Sequence, residues 1–294
     1  MKRIRIGRPR SIRLGRSILV AVALAATAGS SVAIALRSAR QSKTIPSGSF
    51  GTAVAKCRGR RTAVSGGFAA PGFDANNGPT IGRLSSKRVG RRRIETRALN
   101  FGNQAGDLVS FAYCALHDHG LRVKSASSWV KPNALGSAVA RCPRGTEALG
   151  GGFGIHRFST TQGPQVTTLT SKRLGERRWK VVGVNFSGVR AGRLIAHAYC
   201  EAAPFKPVTR SKEVTPPPTG GLKTFDVRCP NGSGAFSGGF DGHVKIQGNQ
   251  SKATTAIASR RASGGRVWRT SALSASCPTL GRRPPTPTAA SGRS

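Results

Sequence analysis

One interval recurs three times along this chain. Cys57 is followed nine residues later by Gly66-Gly67-Phe68, Cys142 by Gly151-Gly152-Phe153, and Cys229 by Gly238-Gly239-Phe240. A ligand-cradling loop usually occurs once, whereas a structural device recurs with the unit that it builds. The three closing segments also correspond: "SSKRVGRRRIETRALNFGNQAGDLVSFAYC", "TSKRLGERRWKVVGVNFSGVRAGRLIAHAYC" and the shorter "ASRRASGGRVWRTSALSASC". The last lacks the Asn-Phe pair found at Asn100-Phe101 and Asn185-Phe186. The opening cysteines lie 85 and 87 residues apart, so the chain reads as three tandem copies of one unit.

Runs of period two bounded by Gly, Pro and Asn dominate the repeats, and helical periodicity is almost absent. In "RRWKVVGVNF" Trp179, Val181 and Gly183 point one way and Lys180, Val182 and Val184 the other; Val109, Phe111 and Tyr113 share a face. The fold class is therefore all-β: three tandem disulfide-closed β repeats of about five strands each. Cys142-Pro143-Arg144-Gly145 reads as a type I turn with Pro second and Gly fourth, and Cys229-Pro230-Asn231-Gly232 repeats it. The Gly-Gly pair marks a bulge or close backbone approach, with positive φ expected, and Phe68, Phe153 and Phe240 plug the core. No G-K-[ST] or helix start follows, so a phosphate loop is excluded. A unit of this size has a marginal core, and packing the three about a pseudo-threefold axis, as in a β-prism, would bury the rest.

The N-terminus carries seven basic residues in its first sixteen, then an uncharged apolar run from Ser17 to Leu36. That pattern is an export signal, residues 1–28 with cleavage after Ala28, or a membrane anchor to about 36. Repeats follow at 43–116, 128–202 and 214–278, and the Pro- and Ser-rich 279–294 reads as a disordered tail. Placement is thus secreted or extracytoplasmic, where disulfides persist. Six cysteines fall two per repeat; a unit duplicated whole carries its own bond, which pairs Cys57 with Cys114, Cys142 with Cys200, and Cys229 with Cys277. No C-x-x-C pair supports a metal reading.

The C-P-x-G and G-G-G-F signatures with A-Y-C endings resemble a family of uncharacterised secreted actinobacterial proteins, over most of residues 43 to 277. The resemblance implies export and a repeated β fold but no chemistry. The internal threefold repetition is also similar to three-sheet β-prism proteins of the vitelline membrane outer layer type, by analogy of repeat number and strand content.

Catalysis finds no footing: there is no G-x-S-x-G elbow, and Asp74, Asp107, Asp118, Asp226 and Asp241 do not recur at matched positions. The expectation is a non-enzyme without cofactor or metal. The pair His117 and His119 with Asp118 lacks a third ligand in its unit; His156 and His243 follow the G-G-F phenylalanines; His197 takes the slot of Phe111 and Ser274. The chain holds 48 Lys plus Arg against 10 Asp plus Glu, and stays near +31 without its first sixteen residues. Such a field attracts polyanions. The recurring basic hairpin, Lys87, Arg88, Arg91, Arg92 and Arg93 in unit one, Lys172, Arg173, Arg177 and Arg178 in unit two, and Arg260, Arg261 and Arg266 in unit three, is the candidate polyanion site. The function expected is a non-catalytic binding or envelope-associated module for an anionic polymer or glycan of the cell envelope, without sequence-specific nucleic-acid recognition. The alternatives are a lectin-like carbohydrate-binding β-prism protein and a secreted hydrolase whose site is not legible.

Overall fold

The computed structural model describes residues 36–71, 73–74, 78–79, 81–116, 120–156, 166–202, 207–215, 221–231, 233–242, 244–247, 250–262 and 264–278. The expected export segment, the His117–His119 cluster, His243 and the expected tail beyond 278 lie outside them. Unit 1 comprises β1 (Arg37–Ile45), β2 (Phe50–Lys56), β3 (Thr62–Ala69), the short β4 (Phe73–Asp74) and β5 (Gly78–Pro79), β6 (Ile81–Val89), β7 (Arg93–Asn100) and β8 (Gly106–Ala115). Unit 2 comprises β9 (Arg122–Val130), β10 (Ala134–Arg141), β11 (Glu147–His156), β12 (Val166–Arg173), β13 (Arg178–Asn185) and β14 (Gly192–Glu201). Unit 3 comprises β15 (Leu222–Arg228), β16 (Phe240–Asp241), β17 (Val244–Gln247), β18 (Gln250–Arg261) and β19 (Val267–Pro278).

The sheets do not coincide with the units. One runs β2-β7-β6-β11-β14-β9, so the hairpin of unit 1 is extended by the Gly-Gly-Phe strand of unit 2. The next runs β10-β13-β12-β16, joining the hairpin of unit 2 to unit 3, and the third runs β1-β8-β3-β18-β19-β15, joining unit 3 back to unit 1. The joins have matched register: Phe153 opposite Ser86, Phe240 opposite Ser171, and Phe68 opposite Ser259. Three units each lending a strand to the preceding hairpin close a ring. A single unit therefore cannot complete any of the three sheets alone.

The axis of that ring is aromatic. Phe68, Phe153 and Phe240 stack edge to face, with centroids 5.7, 5.8 and 6.0 Å apart, the arrangement favoured by the ring quadrupole. Ile94, Trp179 and Trp268 are buried beneath the Gly-Gly pairs. A Cβ added at Gly66, Gly151 or Gly238 would run into those side chains, and one at Gly67, Gly152 or Gly239 would meet the backbone of the joining strand. Close approach is therefore the reason for the glycines, and none of the six has positive φ, contrary to the expectation from sequence. A bulge does occur just before the pair, between Ala63 and Ser65 and between Ala148 and Gly150.

The turn after the opening cysteine also differs from the expected type. Thr146 N–H donates to Pro143 O and Ser233 N–H to Pro230 O, so the turn begins at proline. Gly145 is then its third residue with φ of +75°, a type II position. Each complete unit also holds an outer strand that alternation did not reveal, β1 and β9, because these strands are polar and exposed over most of their length. Units 1 and 2 thus start at 37 and 122, upstream of the boundaries expected from the cysteine-centred repeat.

Two of the three expected disulfides are present, Cys57–Cys114 and Cys142–Cys200, with Cα atoms 5.7 and 5.4 Å apart. The third is a correction: Cys229 carries a free thiol. Arg228 lies opposite Val267, whereas Cys277 lies opposite Ser251 at the other end of β19. Ten residues of strand separate Val267 from Cys277, roughly 33 Å, and a disulfide needs Cα atoms within about 7 Å. The cause is the missing Asn-Phe turn. Asn100 and Asn185 each donate to the end of the preceding outer strand, Ile45 O and Val130 O, and to the returning loop, Gln104 O and Arg190 O. Ser274 occupies that place in unit 3 and bonds Thr254 instead, so β19 runs straight on. Ser274 is thus the counterpart of Asn185 and not of His197.

Candidate functional site

The basic hairpins divide into two classes of side chain. Arg92, Arg177 and Arg266 turn inward at matched positions and donate to the carbonyls of Cys57, Cys142 and Cys229. Arg88, Arg173 and Arg261 reach the start of the neighbouring outer segment, donating to Leu121 O, Pro207 O and Leu36 O. Arg173 also pairs with Glu147 at 2.9 Å. The first three guanidiniums hold a carbonyl of their own unit and the other three a carbonyl of the next, so all six donate to the fold's own backbone. Lys172 is held by Asp241 of the following unit, and Arg260 lies over the Phe111 ring at 5.7 Å.

The exposed charge sits elsewhere on the same strands. Arg93 and Arg178 point outward at the first position after the hairpin. Opposite them across the strand pair stand Lys56 and Arg141, also exposed. In unit 3 the pair is Arg228 opposite Val267, which breaks the pattern. The nearby turns add exposed Arg58, Arg60 and Arg144. Because the three hairpins are joined to their neighbours in the same register, these positions recur around the axis. Lys56 and Arg141 escaped the reading from sequence, since their proximity to Arg93 and Arg178 arises from strand register over about 37 residues of separation.

Two further titratable groups lie inside the sheets, half-buried His197 and buried Arg83. His197 accepts or donates a 2.7 Å hydrogen bond with Ser125 Oγ through Nδ1, and burial together with the charge of Lys87 lowers its pKa to about 4. It occupies the slot of Phe111, opposite the second glycine of its unit. Arg83, which no repeat signal singled out, is buried over the Phe68 ring at 5.2 Å and donates to Thr255 Oγ1. Desolvation lowers it to about 9. Its counterparts Thr168 and Ala256 carry no charge. His156 is exposed at the end of β11. Among the described residues no group of three His, Cys, Asp or Glu side chains could hold a metal, and no helix is long and apolar enough to cross a membrane.

No protein-family model matches the chain, and a search of curated proteins finds no match. The functional reading therefore rests on the geometry of the molecule.

Proposed function

We propose that the protein is an exported, non-catalytic binding module that attracts anionic surface polymers through the hairpin end of its β ring. The observation that supports this most directly is the pairing of Lys56 with Arg93 and of Arg141 with Arg178. Like charges directly opposite one another on antiparallel strands destabilise a sheet by a few tenths to about 1 kcal/mol. Three other carboxylates pair with other cations, Asp226 with Arg269, Asp241 with Lys172 and Glu147 with Arg173, and Glu95, the acidic residue of β7, lies opposite Lys87 and Val54. A polyanion laid across these pairs would remove the repulsion and release its counterions. The two disulfides fit an oxidising compartment, and the N-terminal basic and apolar run fits an export segment.

The test compares two quadruple variants of equal charge. Lys56, Arg93, Arg141 and Arg178 are changed to Gln in one, and Arg122, Lys124, Arg210 and Lys212 in the other. With duplex DNA as a polyanion of known charge density, every phosphate that is no longer neutralised flattens the dependence of log K on log salt by about 0.9. The first variant is expected to lose roughly two to four units of slope and the second clearly less. Equal losses would reduce the interaction to diffuse charge and remove the proposed site.

A further inference from the structure

The two complete units define what the third lacks. In unit 1 β8 lies between β3 and β1, and in unit 2 β14 lies between β11 and β9. The corresponding place in unit 3 lies between residues 233–240 and the segment 207–215, whose first residue takes the part of Leu36 and Leu121 in binding an arginine of the neighbouring hairpin. Among the described residues no strand pairs there.

Three separate features face this slot. The thiol of Cys229 is free where Cys57 and Cys142 are bonded to the strand that fills their slots. The amides of Arg261 and Arg88 donate to the hydroxyls of Tyr113 and Tyr199, at 2.6 and 2.7 Å; the equivalent amide, of Arg173, has no tyrosine to meet. Ser237 and Gly239 are half-buried, where Ser65 and Gly67 in unit 1 and Gly150 and Gly152 in unit 2 are buried. Cysteine, amide and these two residues thus lack the cover that β8 and β14 give their counterparts.

Both tyrosines of the sequence already sit in filled slots. A second copy has the same inventory. We propose that the slot is a docking site for an extended strand of a different polypeptide carrying a Tyr-Cys pair. That strand adds antiparallel to residues 233–240 with its cysteine opposite Ala235 and its tyrosine opposite Ser237, the register of Cys114 with Ala63 and Tyr113 with Ser65. The covalent step is thiol–disulfide exchange. The Cys229 thiolate attacks the disulfide that masks the incoming cysteine, that S–S bond breaks as the new one forms, and the displaced thiolate takes up a proton from solvent.

The filled slots provide the probe. A synthetic peptide of residues 192–201, GRLIAHAYCE, is prepared as its mixed disulfide with glutathione and offered to the intact protein, and the Cys229 adduct is followed by mass spectrometry. Docking before exchange raises the effective concentration, so the adduct is expected at least about tenfold faster than with a scrambled peptide of the same composition. Replacing the peptide's tyrosine by phenylalanine removes the acceptor for Arg173 N–H, and the gain should fall roughly 3- to 10-fold. The Cys229→Ser protein should still bind the reduced peptide, measured by fluorescence anisotropy, and prefer it to the scrambled one. Equal rates for the two peptides overturn the proposal. So does a Cys229 that resists small thiol reagents in the native chain, which would mean a covered slot, or a Cys229–Cys277 bond between two copies as the product formed instead. None of these readouts depends on the exposed basic pairs.

Discussion

Units 2 and 3 start from nearly the same instructions and finish differently. Both carry C-P-x-G, the Gly-Gly-Phe strand, the basic hairpin and a buried tryptophan whose Nε1 donates to a serine hydroxyl, Ser171 or Ser259. Unit 2 then has Asn185, which turns the chain back to form β14 and close the disulfide. Unit 3 has Ser274, and its last strand stays in the hairpin. One buried amide side chain, able to bind the outer strand and the loop at once, separates a closed unit from an open one. The ring still forms, because what joins the units is the hairpin and the Gly-Gly-Phe strand, and all three units retain both.

The largest expected contrast is in the cysteines. Replacing Cys142 and Cys200 by Ala opens a loop of 58 residues and should cost about 4 kcal/mol on the chain-entropy account, whereas Cys229→Ser should stay within about 0.5 kcal/mol. Denaturant midpoints measure both, and a comparable loss for Cys229→Ser would erase the distinction between the units. Next come the glycines. A valine at Gly152 is driven against Ser86 O in a strand held on both sides, and should cost about 3 kcal/mol; at Gly239 the same clash meets Ser171 O in a segment that has no strand paired on its outer side among the described residues, and should cost nearer 1 kcal/mol. Equal melting shifts would show that the outer edge of unit 3 is as fixed as that of unit 2.

The smallest contrast sets unit 2 against unit 1, through His197 and Phe111. The histidine's folded pKa of about 4 lies below its unfolded value near 6.5, so the folded state binds fewer protons between them. Its contribution is fully present above pH 6.5 and is lost as pH falls towards 4, on the order of 2 kcal/mol in all. His197→Phe, which installs the residue that unit 1 uses, should flatten the stability curve across that window. An unchanged slope between pH 6.5 and 4 would mean that other groups carry the acid sensitivity.

Much of this was legible in the chain itself. The period-two runs, the spacing of Cys to Gly-Gly-Phe and the alternation around Trp179 follow from local rules: a strand buries every second side chain, and a tight approach excludes a Cβ. Those rules identified the all-β fold, the aromatic plug and two of the three disulfides expected, and they wrongly paired Cys229 with Cys277. What they could not decide was pairing. Whether Cys277 belongs to the strand of Tyr199 or to that of Trp179 depends on a turn made by Asn185 through partners 55 residues earlier. The six arginines that lock carbonyls and the four cations left exposed look identical in sequence, since register across strands sorts them. The polar strands β1 and β9 left no periodic signal, because only their backbones are needed to cover an edge. Local composition determined what each segment can be, and the closing of the ring decided which segments meet.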